Sequence, residues 1–555
     1  MQRRKAILGL FALGALAAAP RSQEAEVVHA ILREGDTIVG VGAFNDADSV
    51  RVNDHRSWVS VIDTDYQPTS RDAVLLRNWL TILREGNQLY SEAPGDLAIL
   101  SSFDAVEINA DGDLAMLLGV GSTEFGSHTG FYWNGFPVLR SFDPIVSPGF
   151  GVGSHWTTFK SLKANANNQV MIVGEMDNTS VNGTNEDIIA KLTMGEDGSL
   201  VAFDVLARNG LALPALEGLP MATTDFGPHA SGFNKRGDWI AAIKTAIGVY
   251  VVKNGDEQLG REGGASVLPG RNWRGNAFSL VFRSAINDRG ETMFVGAAEG
   301  NTSSDAIYVI VKNGELWVRE GNVLPEFSNR PIGKGTSSPL ILANTGDVYW
   351  FAQDSGSGKA YMRNFTPILK QNESRIEGNL VTNLPPQSDA FDASDDGRFW
   401  IGRVDTQVVG EQIVFADFGL VLPLPGCQGN PGELSLVEGR ALAGDHLLLG
   451  MDNGQDVGVT PILQLSTQPR FPGNECGVLT QYGEILISPA DRFGKITMPV
   501  WNGVEPSTVD LQIPSDPAII DATVYIQGVF WDAGNQSPEV DYRLSNALKI
   551  EIGAP

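Results

Sequence analysis

The side chains best suited to chemistry in this 555-residue chain are few and scattered. Six histidines, His29, His55, His128, His155, His229 and His446, share no motif, and neither a His-Glu-x-x-His pair nor a Cys-x-x-Cys pair exists to hold zinc. Ser154 lies in Gly-Val-Gly-Ser-His-Trp (151–156), which lacks the Gly-x-Ser-x-Gly spacing that raises a nucleophilic serine on a strand-to-helix turn. No phosphate-cradling or dinucleotide-binding glycine loop occurs in a strand-to-helix setting. The residues therefore predict no catalytic set, no cofactor and no dedicated metal site.

Two weaker polar patterns remain. Acidic turns at 45–49 (NDADS), 63–66 (DTDY) and 109–113 (NADGD) offer the oxygen ligands that Ca²⁺ takes. None closes with a distal bidentate Glu, and such residues form hydrogen-bonded turns without a metal. A basic column, Arg33, Arg84, Arg140, Arg208, Arg261, Arg319 and Lys370, recurs along the chain, with Glu directly after Arg33, Arg84, Arg261 and Arg319. An anion-binding ring is one use of it; bonding to neighbouring repeats or to the long connections is the expected one. Trp58, Trp239, Trp350 and Trp400 are expected in the core rather than on a sugar-stacking surface.

Cys427 and Cys476 are the only cysteines. In an oxidising compartment they predict a structural disulfide closing a loop of about fifty residues, worth roughly 3–4 kcal/mol in the chain-entropy model. Export is read from the first residues, where Arg3, Arg4 and Lys5 precede an apolar stretch and a small-residue Ala15-Leu16-Ala17 site. Residues 1–17 are read as a signal peptide. The apolar stretch is shorter than the roughly 20 residues that span a bilayer, and no later segment reaches that length, so no membrane insertion is expected. Removal of the leader lowers the formal charge from −26 to −29. Such a surface repels nucleic acid and anionic membrane. A secreted, periplasmic or cell-surface protein is the expectation.

The elements that must position these residues come from a repeat. An Asn-x-x-Gly turn leading into an apolar run starts near Asn53, Asn109, Asn165, Asn234, Asn287, Ala343 and Ser394, a mean period of about 57 residues. Gly follows three places on in five copies (Gly112, Gly237, Gly290, Gly346 and Gly397), while Arg56 and Asn168 break the rule. This is the chemistry of a short hairpin loop, with Gly supplying positive φ and Asn bonding its own turn. A second hairpin follows in several copies, marked by Asn134-Gly135, Asn254-Gly255 and Asn313-Gly314. Each unit reads as a four-stranded antiparallel meander that must stack on its neighbours. The strand before Arg33 precedes the first Asn motif, and the last unit lacks its fourth strand. The arithmetic predicts a seven-bladed β-propeller over 24–420, closed by an N-terminal outer strand.

After Gly419 the repeat stops at a Pro/Gly-rich junction. About seven short apolar strands over 421–555 predict an immunoglobulin-like β-sandwich without the Cys, Trp, Cys spacing of true immunoglobulin domains.

The Asn-x-x-Gly units over 26–419 resemble a family of secreted bacterial proteins with tandem Asn-x-x-Gly-x-x-Ala-Phe repeats. Ala115 is the one Ala at its column and Phe294 the one Phe at the next; elsewhere Met171, Ile172, Tyr349 and Trp350 keep the apolar character. The C-terminal part, 425–553, resembles a module at the ends of many exported proteins of planctomycetes and similar bacteria. The resemblances imply export and repeat architecture and no activity. The variable loops 176–187, 211–229 and 320–335 are expected to share one face, where a binding site is most economically placed. The expected function is non-catalytic recognition or adhesion outside the cell, with an extracellular protein or glycan as partner. The alternative is a propeller hydrolase or lyase acting on an extracellular carbohydrate or lactone.

Overall fold

The computed structural model describes residues 28–553 except 69–70, 91–95, 146–149, 178–184, 224–231, 275–282, 300–305, 334–338, 425, 428–429, 453–457, 473–475, 503–504 and 532–541. The expected signal peptide (1–17) and His229 lie outside the described residues, as do parts of all three variable loops. The chain is all-β, as expected, and divides into two compact units, Val28–Asp395 with Trp400–Phe415, and Asp396–Phe399 with Ala416 onward.

The N-terminal unit is built from meanders of four antiparallel strands, successive sheets following one another along the chain. The second sheet runs Ile99–Ile108, Leu114–Ser122, Gly126–Trp133 and Phe136–Arg140. The third runs His155–Ala164, Gln169–Asp177, Asn185–Met194 and Leu200–Arg208. The last sheet of this unit is completed out of sequence: Val28–Arg33 pairs with Gly410–Asp417, which pairs with Phe399–Thr406.

Apolar residues of the second strands are buried between sheets. Ala115, Leu117 and Trp133 share a cluster with Val170, Ile172 and Leu192, while Met293 and Val295 share one with Val348 and Trp350. Trp58, Trp239, Trp350 and Trp400 are all buried, as their strand positions predict.

The Asn column does more than make turns. In Asn287 the side-chain Oδ1 accepts from the N–H groups of Arg289 (3.1 Å) and Glu291 (3.0 Å), closing the local turn. Its Nδ2 donates to the carbonyl of Ala343 in the next sheet, at 3.0 Å. Asn234 donates in the same way to Asn287 O (2.8 Å), Asn165 to Asn234 O (2.7 Å) and Asn53 to Asn109 O (3.0 Å). A local turn residue is thus also an inter-sheet tie. Arg56 (φ +62°) and Asn168 (φ +54°), which break the glycine rule in sequence, occupy the same left-handed region as Gly290 (φ +81°).

In the C-terminal unit, a five-stranded sheet that includes Leu420–Leu424, Thr460–Ser466 and Thr523–Trp531 shares one apolar core with a three-stranded sheet of Glu433–Gly439, His446–Asp452 and Ser507–Gln512. The disulfide Cys427–Cys476 is formed as expected, its Cα atoms 5.0 Å apart and both residues outside the named strands. Glu484 holds the loop together: its carboxylate accepts from the N–H of Cys427 (2.8 Å) and of Gly477.

Candidate functional site

Two residues before the Asn column, the inner strands of the first three repeats carry Arg51, Glu107 and Lys163, and the corresponding strand of the last carries Asp392. The sheets bring these side chains together. Arg51 Nε donates to Glu107 Oε1 at 3.1 Å, and Lys163 Nζ to the same oxygen at 2.6 Å. Arg51 Nη2 meets Asp389 Oδ1 at 2.5 Å, and Asp392 Oδ2 accepts from Val52 N at 3.0 Å. Arg51 is only 7% exposed. Burial opposes its charge, but Glu107, Asp389 and Asp392 outweigh that and hold the guanidinium above its ordinary range. Burial likewise pushes Glu107 up, yet Lys163 and Arg51 leave it below the usual carboxylate value. Asp392 is pushed up to about 6, chiefly by burial, with Arg51 pulling down and Glu107 pushing up.

Arg51, Lys163, Arg283, Ser284, Ser388 and Asp392 line a cavity of about 60 Å³. Small-molecule sites run to roughly 300–1,000 Å³, so this space suits a few waters rather than a sugar ring. The sequence carried a signal for this cluster, a charged column two places before Asn, but strands with alternating apolar residues drew attention to packing instead.

The basic column does not converge. Each member sits at the end of an outer strand, and six of the seven have a separate side-chain partner: Arg84 lies 3.9 Å over the Tyr66 ring, Arg140 4.4 Å over Phe125, and Arg208 5.0 Å over Phe150. Arg261 Nη1 donates to Glu217 at 2.6 Å, Arg33 pairs with Glu377, and Lys370 with Glu373 at 2.5 Å. The glutamates that follow have a separate role: Glu262 accepts from Val249 N (2.8 Å) and Glu320 from Tyr308 N (3.3 Å), satisfying backbone donors at or near the start of the third strand.

Two of the acidic turns meet. Asp63 is pushed up to about 6, first by burial and then by Asp48, Asp72 and Asp46. Beside them Arg403 donates to Asp46 Oδ1 (3.1 Å) and Glu411 Oε1 (3.0 Å). Glu411 rises to about 8, chiefly through burial and its hydrogen bond with Asp46, whose own carboxyl is lowered, first by that same bond. In the third acidic turn, Asp113 accepts from the Asn109 and Asn134 side chains.

The described histidines stay apart. His55 Nδ1 lies 2.6 Å from Ala110 O, His128 Nδ1 3.1 Å from Gly126 O and His155 Nδ1 3.0 Å from Gly153 O; His29 packs against Phe415, and His446 pairs with Asp445 at 3.2 Å. Ser154 is buried. Among the described residues one set of candidate metal ligands falls together, Cys427, Cys476 and Glu484, and both of its sulfurs are spent in the disulfide.

No family model matches the chain, and no curated protein is similar to it. Among solved structures, similarity is found to the polysaccharide lyase Uly1 (10% identity, 70% of this chain and 92% of that one, TM-score 0.31). The BP39L lectin from Burkholderia pseudomallei also matches (13% identity, 67% and 96% covered, TM-score 0.31), as does the GH93 α-L-arabinofuranosidase of Fusarium graminearum (8%, 70% and 98%, TM-score 0.27). Scores this low carry no conclusion about what this chain binds or does.

Proposed function

We propose that this chain is a secreted, non-catalytic protein of recognition or adhesion: a seven-bladed β-propeller over 24–420, closed by its N-terminal outer strand, followed by an immunoglobulin-like module over 421–555. The observation that carries the reading is the spending of the inner-strand charges on one another. Arg51 and Lys163, which line a cavity smaller than a sugar ring, are both tied to Glu107, at 3.1 and 2.6 Å. A catalytic carboxylate needs substrate within hydrogen-bond reach, whereas these serve neighbouring sheets. Ring closure is supported by the pairing of Val28–Arg33 with Gly410–Asp417 and by the bonds from Arg51 and Val52 to Asp389 and Asp392. The disulfide and the leader-like N-terminus support export, and no helix of the described residues is long and apolar enough to cross a membrane. The repeat resemblance supports membership of the tandem-repeat exported proteins.

The alternative, a hydrolase or lyase of an extracellular carbohydrate or lactone, draws on one observation. Asp392, raised to about 6, lies beside the ionised Glu107, a separation of carboxyl pKa values of the kind acid–base pairs use. Incubating the protein with polysaccharides and lactones decides between the two. The proposal expects no new reducing ends, unsaturated uronides or opened lactone; product that disappears in Asp392→Asn establishes the enzyme instead.

A further inference from the structure

The repeat makes departures from it visible, and one concerns an exposed aromatic ring. After each outer strand the chain turns through a left-handed residue, and in five repeats that residue is glycine: Gly35, Gly86, Gly210, Gly263 and Gly321, with φ between +73° and +89°. In the second repeat the position is Phe142, at φ +76° and 61% exposed. An exposed aromatic residue in this region is an outlier that packing does not explain; Trp79 is another (φ +74°), set against the buried Trp58 ring, whereas Phe142 has polar neighbours.

The surroundings indicate a ligand. The Phe142 ring lies 6.1 Å from the His155 ring at an interplanar angle of 33°. His155 Nδ1 faces Gly153 O, which leaves Nε2 for an external partner. Asp143, the next residue in the chain, uses one carboxylate oxygen, Oδ2, to accept from the backbone and side chain of Arg140 (2.7 and 3.4 Å), and its other oxygen has no partner among the described residues. Arg140 in turn covers Phe125, itself 41% exposed on the neighbouring strand-two to strand-three turn. Arg140 and Asp143 form an ion pair at 3.4 Å, and the net charge of −26 on the whole chain disfavours an anionic ligand. The patch therefore favours a neutral ligand with one flat apolar face and a polar rim.

Building on the recognition reading, we propose that Phe142, flanked by Asp143 and His155, forms a stacking subsite for a pyranose or furanose unit of a neutral extracellular glycan. The C–H face of the sugar lies on the electron-rich ring face. Its hydroxyls meet the free Asp143 oxygen and His155 Nε2.

The test is affinity electrophoresis of the full chain in native gels containing laminarin, arabinan or polygalacturonate, with Phe142→Gly, Phe142→Asn and Trp79→Gly beside it. Gly and Asn both tolerate the left-handed turn, so these variants keep the fold. Trp79 is another exposed aromatic at positive φ (+74°), in a different turn of the first repeat. The expected result is retardation of the wild type by a neutral polymer. Both Phe142 variants weaken it at least tenfold at an unchanged or raised Tm, and Trp79→Gly leaves it intact. Retardation that survives in both Phe142 variants overturns the subsite while leaving recognition standing. Retardation by none of the polymers, or by polygalacturonate alone, overturns the neutral-glycan class. Shortening of a polymer overturns the recognition reading beneath it.

Discussion

Asn287 shows how much one amide contributes in this chain. Its oxygen closes the turn to Arg289 and Glu291 and its nitrogen crosses to Ala343 O. Asn234→Ala, which strands the Arg236 and Asp238 N–H groups and the Asn287 carbonyl, is expected to cost about 1–3 kcal/mol in urea denaturation of the whole chain. Gly290→Ala, forced to hold φ +81°, is expected to destabilise by about 1–2 kcal/mol, whereas Trp79→Gly relieves a strained φ and should not destabilise. A loss on Trp79→Gly as large as that of Gly290→Ala contradicts the account of these turns. The turn half of this chemistry was legible in the sequence, because Asn and Gly sit three residues apart. The inter-sheet half was not, because the acceptor lies 56 residues away from Asn287 and is a backbone carbonyl, which any residue supplies.

The strands were legible where side-chain period and turn residues agreed. The fifth repeat pairs Ser284–Ile286 with Thr292–Glu299, and Met293 and Phe294 are buried, as its sequence indicates. The Asn78-Trp79 and Asn364-Phe365 turns lack the glycine that marks this hairpin, although Asn78 and Asn364 still accept from the first N–H of the second strand, both at 2.9 Å. The inner-strand charges escaped notice because a charged residue on a strand normally faces water. The strand Gly410–Asp417 carries a pH-dependent element in Glu411. Its pKa of about 8 in the fold lies above the ordinary carboxylate value it regains on unfolding, so between the two the folded state holds more protons. Asp392 and Asp63, both near 6, act in the same direction. Stability contributed by these groups is therefore fully present below about pH 4 and falls as pH rises to about 8. The Tm of the N-terminal unit is expected to drop between pH 5 and pH 8.5, and Glu411→Gln to flatten that drop; an unchanged slope in the variant contradicts the assignment. Glu262→Ala should speed amide exchange at Val249, whose N–H it frees, while leaving the Asn287 turn protected.

At the scale of the whole molecule, the two units are held by different means. In the N-terminal unit a strand from the start of the chain, Val28–Arg33, completes the sheet made by its last repeat, so deleting 28–33 is expected to abolish a single cooperative unfolding transition there. In the C-terminal unit the Cys427–Cys476 bridge spans 49 residues, and its reduction should lower that unit's stability by roughly 3–4 kcal/mol without moving the other transition. Architecture was legible at this scale because repetition multiplies a weak local signal. The proposed binding subsite was not, since Phe142 is a departure from the repeat. Recognition without turnover makes the chain a binder that leaves its ligand intact. Its most direct test is size-exclusion chromatography of laminarin and arabinan after prolonged incubation with the full chain. The protein is expected to elute with one of these polymers, and the polymer to keep its original size distribution. A shift of the polymer to shorter lengths, absent with Asp392→Asn, would contradict it.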